Sequence, residues 1–147
     1  MKMASVLLDT NVLSELIRPQ PDAAVLAWFE QQPETKFFTS AITRAEILLG
    51  VALLPSGKRR DALAVAAEQM FQQEFAGRCL PFDHVAAGEY ALLVAARSKI
   101  GQPIATEDAQ IAAIAIQHHL PLVTRNTKDF LQIQGLRLIN PWMSKST

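Results

Sequence analysis

The chain reads as an α/β protein built on a mainly parallel sheet, and three observations predict it. Short apolar runs alternate with longer segments whose apolar residues recur at helical spacing. The runs are bounded by Pro, Gly, Asp and Asn, as short strands are. Helices lie between the strands, and parallel neighbours need such crossovers. Right-handed crossovers would bring the carboxyl ends of the strands to one edge.

The elements follow in order. Ser5-Val6-Leu7-Leu8 is the first strand. A short helix from Asn11 to about Ile17 stops before Pro19. Ala23 to about Gln31 is a second helix, capped by Asp22, with Val25, Leu26 and Phe29 on one face. Phe37–Thr39 is a strand. Thr43 to about Leu54 is a helix with Ile47, Leu48 and Val51 in phase, ended by Pro55. Ser56-Gly57 makes a turn, and a long helix is expected to about Phe75. Cys79–Leu80 is a strand before Pro81. His84 to about Ile100 is a helix closed by Gly101, and Glu107 to about His119 is another. Leu120–Thr124 reads as a strand with Pro121 tolerated at its start. Leu136–Ile139 is the last.

The bulk numbers narrow the class. A chain of 147 residues is expected to be one domain, large enough to bury roughly 68–70% of its unfolded surface. Half of its residues are hydrophobic, which argues against general disorder. Lys and Arg balance Asp and Glu, 14 against 14, so nucleic acid would have to be met by a local patch. The lone Cys79 cannot form an internal disulfide and reads as a small hydrophobe. No apolar stretch is long enough for a spanning helix. Asp9 interrupts the first apolar run, which is not a signal-peptide layout, so a cytoplasmic protein without membrane contact is expected.

Acids recur where the strands should end. Asp9 follows the first strand directly, where ligands bind in open α/β sheets; a helix cap is the plainer reading. Glu46 lies in Thr43-Arg44-Ala45-Glu46, which matches a capping box with Thr43 as cap. Its carboxylate would otherwise enter the cleft beside Asp9. Asp108 opens a helix in phase with Ile111, Ala112 and Ala115, so it belongs to a buried stripe and needs a partner. Glu107 is explained by the helix dipole. The polar segment Thr124-Arg125-Asn126-Thr127-Lys128-Asp129 follows a strand and reads as a turn, or as the fourth wall through Asn126 or Asp129. Acids gathered on one edge would repel without a counter-ion. Hard carboxylate ligands suit Mg2+ or Mn2+. His118 and His119 end a helix and complement its dipole. Such a site, without a Gly-rich phosphate loop, fits phosphodiester hydrolysis.

Leu7-Leu8-Asp9-Thr10-Asn11, Ser40 to Gly50, Asp108-Ala109-Gln110-Ile111-Ala112-Ala113 and Leu122-Val123-Thr124-Arg125-Asn126 resemble the PIN-domain ribonucleases. The likeness is to VapC-type toxins, and with Asn140-Pro141-Trp142 to their FitB-like branch. It runs from about Ser5 to Trp142. The resemblance implies a three-layer α/β/α sandwich, a homodimer, and Mg2+- or Mn2+-dependent endonucleolytic cleavage of RNA. It implies a cognate antitoxin that neutralises the toxin and carries the pair to operator DNA. Asp9, Glu46 and Asp108 match the family's main acids, Thr10, Asn11 and Thr124 its supporting polar residues. The fourth acid is divided between Asn126, where several relatives carry Asp, and Asp129.

Two other classes fit parts of the pattern. One is a phosphotransferase forming an aspartyl-phosphate on Asp9. The other is a weakly active subunit that mainly serves a DNA-binding antitoxin. Lys58-Arg59-Arg60 reads as a solvated helix start, with RNA backbone contact as the alternative. Trp28, Trp142, Phe37 and Phe38 read as core or interface rather than base-stacking platforms.

Overall fold

A computed structural model describes residues 5–143. Five strands form one parallel sheet: β1 (Ser5–Leu8), β2 (Lys36–Ser40), β3 (Cys79–Leu80), β4 (Leu122–Val123) and β5 (Leu138–Ile139). Their order is β3-β2-β1-β4-β5. The helices are α1 (Thr10–Leu16), α2 (Ala23–Glu30), α3 (Ala41–Ala52), α4 (Lys58–Gln69), α5 (His84–Lys99) and α6 (Thr106–Gln117).

Alternation along β1 explains the three layers. Val6 and Leu8 face one way, into a core with Val12, Leu13, Trp28, Ile47, Met70, Phe71 and Val123. Leu7 faces the other way, into a core with the apolar stripe of α6, Leu93, Leu122 and Phe130. Leu7 stands between Phe38 of β2 and Leu122 of β4. A strand covered on both faces reads as a continuous apolar run, and each such buried side chain contributes about 1.5–3 kcal/mol.

The structure moves several boundaries. β4 pairs only Leu122 and Val123, and Pro121 precedes it. Ladder bonds nevertheless continue past it, from Thr124 N–H to the Ile139 carbonyl at 2.8 Å. The expected long helix ends at Gln69. A π turn over Met70–Glu74 follows, with Phe75 N–H donating to the Met70 carbonyl at 3.0 Å. Gly77 at φ 73° then turns the chain into β3, a conformation that glycine adopts without strain. In α2, Trp28 rather than Leu26 joins Val25 in the core; Leu26 is 42% exposed. Trp28, Phe29 and Phe37 pack edge to face or tilted, with centroids 4.9–6.0 Å apart, which bears out a core role.

Arg97, in the last turn of α5, is buried. Its Nε donates to the Gln102 carbonyl at 2.8 Å, and Nη1 donates to the carbonyls of Asp129 and Leu131 at 3.1 and 3.0 Å. One guanidinium thus ties the α5–α6 turn to the 3-10 turn Thr127–Phe130. Replacing Arg97 with Met would remove three hydrogen bonds from a charged donor, each contributing about 1–3 kcal/mol. We expect Arg97→Met to lose at least about 3 kcal/mol in urea unfolding; a loss below about 1 kcal/mol would show the carbonyls to be satisfied otherwise.

Candidate active site

From β1 the chain moves to one side of the sheet, through β2 and β3, then returns to the other side as β4 and β5. The crevice between the carboxyl ends of β1 and β4 is therefore the topological switch point, where ligands bind in such folds. Asp9 follows β1 and Thr124 follows β4.

Asp9 is buried, and three donors hold its carboxylate. Thr124 Oγ1 donates to Oδ2 at 2.7 Å, Asn11 Nδ2 donates to Oδ2 at 3.2 Å, and Thr10 N–H donates to Oδ1 at 2.8 Å. The last bond makes Asp9 the N-cap of α1, so the cap and the site use one carboxylate. Burial raises its pKa; the bonds from Thr124, Thr10 and Asn11 oppose that, and the charge of Asp129 adds to it. Thr124 also accepts from Asn11 Nδ2 at 3.3 Å and from Asn126 N–H at 3.1 Å. Asn11 Oδ1 accepts from Arg125 N–H at 3.2 Å.

Glu46 corrects the capping-box expectation. Helix α3 starts earlier, and Ser40 is its cap, accepting from Thr43 N–H at 3.1 Å. Thr43 is therefore inside the first turn, and Glu46 sits a turn too far along to bond back to the cap. Its Oε1 instead accepts from Thr10 Oγ1 at 2.6 Å. Thr10 Oγ1 also lies 3.0 Å from Thr43 Oγ1. Since Thr10 gives its proton to Glu46, Thr43 must donate to Thr10.

Asp108 lies in the first turn of α6, partly buried, above Ile111, Ala112 and Ala115, which are fully buried. Among the described residues its carboxylate has no hydrogen-bond donor. Burial, then the charges of Asp9, Asp129, Glu46 and Glu107, push its pKa up to about 6. The acids expected on one edge are thus close enough to repel one another. Asp129 is exposed on the 3-10 turn, and Asn126 precedes that turn.

Among the described residues no three Asp, Glu, His or Cys side chains already form a metal-holding cluster. Asp9 is held by Thr10 N–H, Asn11 and Thr124, and Glu46 by the Thr10 hydroxyl. The donor set still fits a hard divalent cation. It is all oxygen, and Asp108 is a partly buried carboxylate with like charges around it and no donor. The aspartyl-phosphate reading fits less well, because among the described residues no Lys or Arg side chain bonds Asp9. His118 and His119 close α6, His119 at φ 55°.

Ser40 and Asn140 enter the sequence reading only through the family motifs, and Arg97 not at all. Ser40 lies three residues before Thr43, the start of the expected helix. Arg97 looked like an ordinary basic residue in a last turn. Asn140 Nδ2 donates to the Arg125 carbonyl at 3.3 Å and Oδ1 accepts from Trp142 N–H at 2.9 Å, a local Asx pattern that its place before Pro141 could have signalled.

The PIN-domain model matches residues 6–136, and the chain belongs to the PIN-domain family. Within that family its relatives are toxins and ribonucleases of the FitB and VapC type. It is 44% identical to the toxin FitB of Neisseria gonorrhoeae over 93% of this chain and 98% of that protein. It is 44% identical to a VapC ribonuclease of Sinorhizobium fredii over 93% of this chain and 97% of that one. Among solved structures it is similar to FitAB bound to a DNA fragment, with TM-score 0.87, 42% identity, and coverage of 96% of this chain and 98% of that one.

The raised acids have a consequence for stability. A carboxyl group whose pKa is higher in the fold than in the unfolded chain favours the fold when protonated. For Asp108 that contribution is whole below the unfolded value of 3.8 and is lost as pH rises through about 6. The metal-free protein should lose stability across that window, and Asp108→Asn should flatten the profile. Solvent screening at this partly exposed side chain keeps the gain at neutral pH near ~1 kcal/mol. Urea unfolding in chelator across the window checks it; parallel profiles for the two proteins would refute it.

Proposed function

We propose that this chain is the toxin of a type II toxin–antitoxin pair, a divalent-metal-dependent endoribonuclease. The carrying observation is the gathering of Asp9, Glu46, Asp108 and Asp129 at the switch point. Relatives at 44% identity, one named a toxin and one a ribonuclease, support the same reading. It is preferred to the phosphotransferase and to the weakly active subunit.

Asp9 and Asp108 are the residues assigned to hold Mg2+ or Mn2+, with Glu46 completing the set directly or through water. Bound there, the cation would lower the pKa of an attacking water and offset charge on the phosphoryl oxygens. Thr124 and Asn11 aim the Asp9 carboxylate. Thr10 fixes Glu46 through Oε1, leaving the other oxygen to orient water and take its proton. Asp129, with Asn126 and Thr124, forms the far wall. Asn126 brings no charge, so the fourth carboxylate is assigned to Asp129.

The partner is a cognate antitoxin that neutralises the nuclease and carries the pair to operator DNA, as the likeness to DNA-bound FitAB supports. A cytoplasmic homodimer of one-domain subunits belongs to this reading. Leu49 of α3, Leu53 just past its end and Val65 of α4 are exposed, apolar surface of the kind partner chains cover.

Asp9→Asn should abolish metal-dependent RNA cleavage and growth arrest while leaving the melting temperature equal or higher, since it removes a buried charge. Undiminished cleavage by the purified variant would sink the assignment. Asp129→Asn should weaken Mn2+ binding measured by calorimetry, whereas Asn126→Asp should strengthen it. If Asp129→Asn binds Mn2+ as tightly as the parent, the far wall belongs to another residue.

A further inference from the structure

Arg125 stands beside the acids without belonging to them. Its side chain is exposed, and its guanidinium lies over the Trp142 ring, 5.0 Å from the centroid. The backbone beneath it is fixed on both sides. Asn11, which also holds Asp9, accepts from its N–H, and Asn140 donates to its carbonyl. The same Asn140 side chain accepts from Trp142 N–H. One amide therefore ties both halves of the stack together, and another ties the stack to the acid pocket.

Three other arginines have structural work, and Arg44 lies over the Phe71 ring, 5.4 Å from its centroid. Arg18 pairs with Glu15, Arg78 donates to the Phe37 carbonyl, and Arg97 clamps the carbonyls of Gln102, Asp129 and Leu131. The Arg125 guanidinium has no hydrogen-bond partner among the described residues. The cation–π contact with Trp142 uses none of its N–H donors as hydrogen bonds, so they stay open. That fork matches two oxygens of a phosphate. Because backbone and ring already restrain the side chain, little rotamer freedom is left to lose on binding.

The charge balance gives such a cation a purpose. Net charge is zero, and four acids around the switch point repel an approaching phosphodiester. A fixed guanidinium at the carboxyl edge, one residue past Thr124, offsets that repulsion where the strand must pass. We propose that Arg125, held by Trp142 and Asn140, binds a backbone phosphate of the RNA next to the bond that is cut. This rests on the ribonuclease reading above.

The test uses the full-length protein carrying Asp9→Asn, so that RNA is bound but not consumed. A fluorescent single-stranded RNA pool of random sequence is titrated across a range of salt concentrations. Arg125→Ala should bind several-fold more weakly, with a log–log salt dependence shallower by roughly 0.7, the value for one phosphate on a single strand. Arg125→Lys should keep the salt slope but recover only part of the affinity. Trp142→Leu should lose affinity with the slope unchanged, because the charge remains. Arg137→Ala, at the opposite end of β5, should match the parent. Parental affinity and slope in Arg125→Ala overturn the inference while leaving the ribonuclease reading intact, and do so equally if that variant instead loses a protein partner. A parent that binds no RNA, with a wild type that cuts none, removes both.

Discussion

The bond from Thr124 to Asp9 is the contact on which the site depends. It spans 115 positions of sequence and joins the two strands where the sheet changes direction. A carboxylate buried there without donors would pick up a proton rather than keep its charge. Thr124, Asn11 and the first N–H of α1 together hold it as a usable anion, and each is delivered by a different feature of the fold. Thr124 needs β4 in register with β1. Asn11 needs α1 to start at once after the strand. The N–H needs Asp9 to be the cap.

The hydroxyls of Thr10 and Thr43 extend the same logic to Glu46. Thr43 donates to Thr10, which donates to Glu46, so the charge on one carboxylate sets the direction of the whole chain of protons. Ser40 makes this possible by capping α3 early and bringing Thr43 inside the helix. Asp108 and Asp129 receive no such help. Among the described residues neither carboxylate has a hydrogen-bond donor, and Asp108 shows the effect in its raised pKa.

Much of this was legible in the chain itself. Alternating apolar strands and helices specify a parallel sheet, and a carboxylate straight after an apolar strand marks the switch point once a second strand end supplies a polar neighbour. Asp108 is recognisable by phase, since a charge in register with Ile111, Ala112 and Ala115 needs a partner. What misled was local. Thr43 to Glu46 satisfies the spacing of a capping box, but Ser40 competes for the cap and wins because β2 runs straight into α3. Arg97 was silent for a different reason. Its partners are backbone carbonyls, which carry no residue identity, so no spacing could announce them.

The order of the strands also bears on when the enzyme becomes dangerous to the cell that makes it. Asp9 and Glu46 leave the ribosome early, but Asp108, Thr124 and Asp129 come from the last third of the chain. β4 must insert beside β1 before the pocket exists, a long loop closure that early-folding helices cannot replace. A nascent or truncated chain therefore carries the first half of the acids with no counterpart, and toxicity on this reading is withheld until translation is nearly complete.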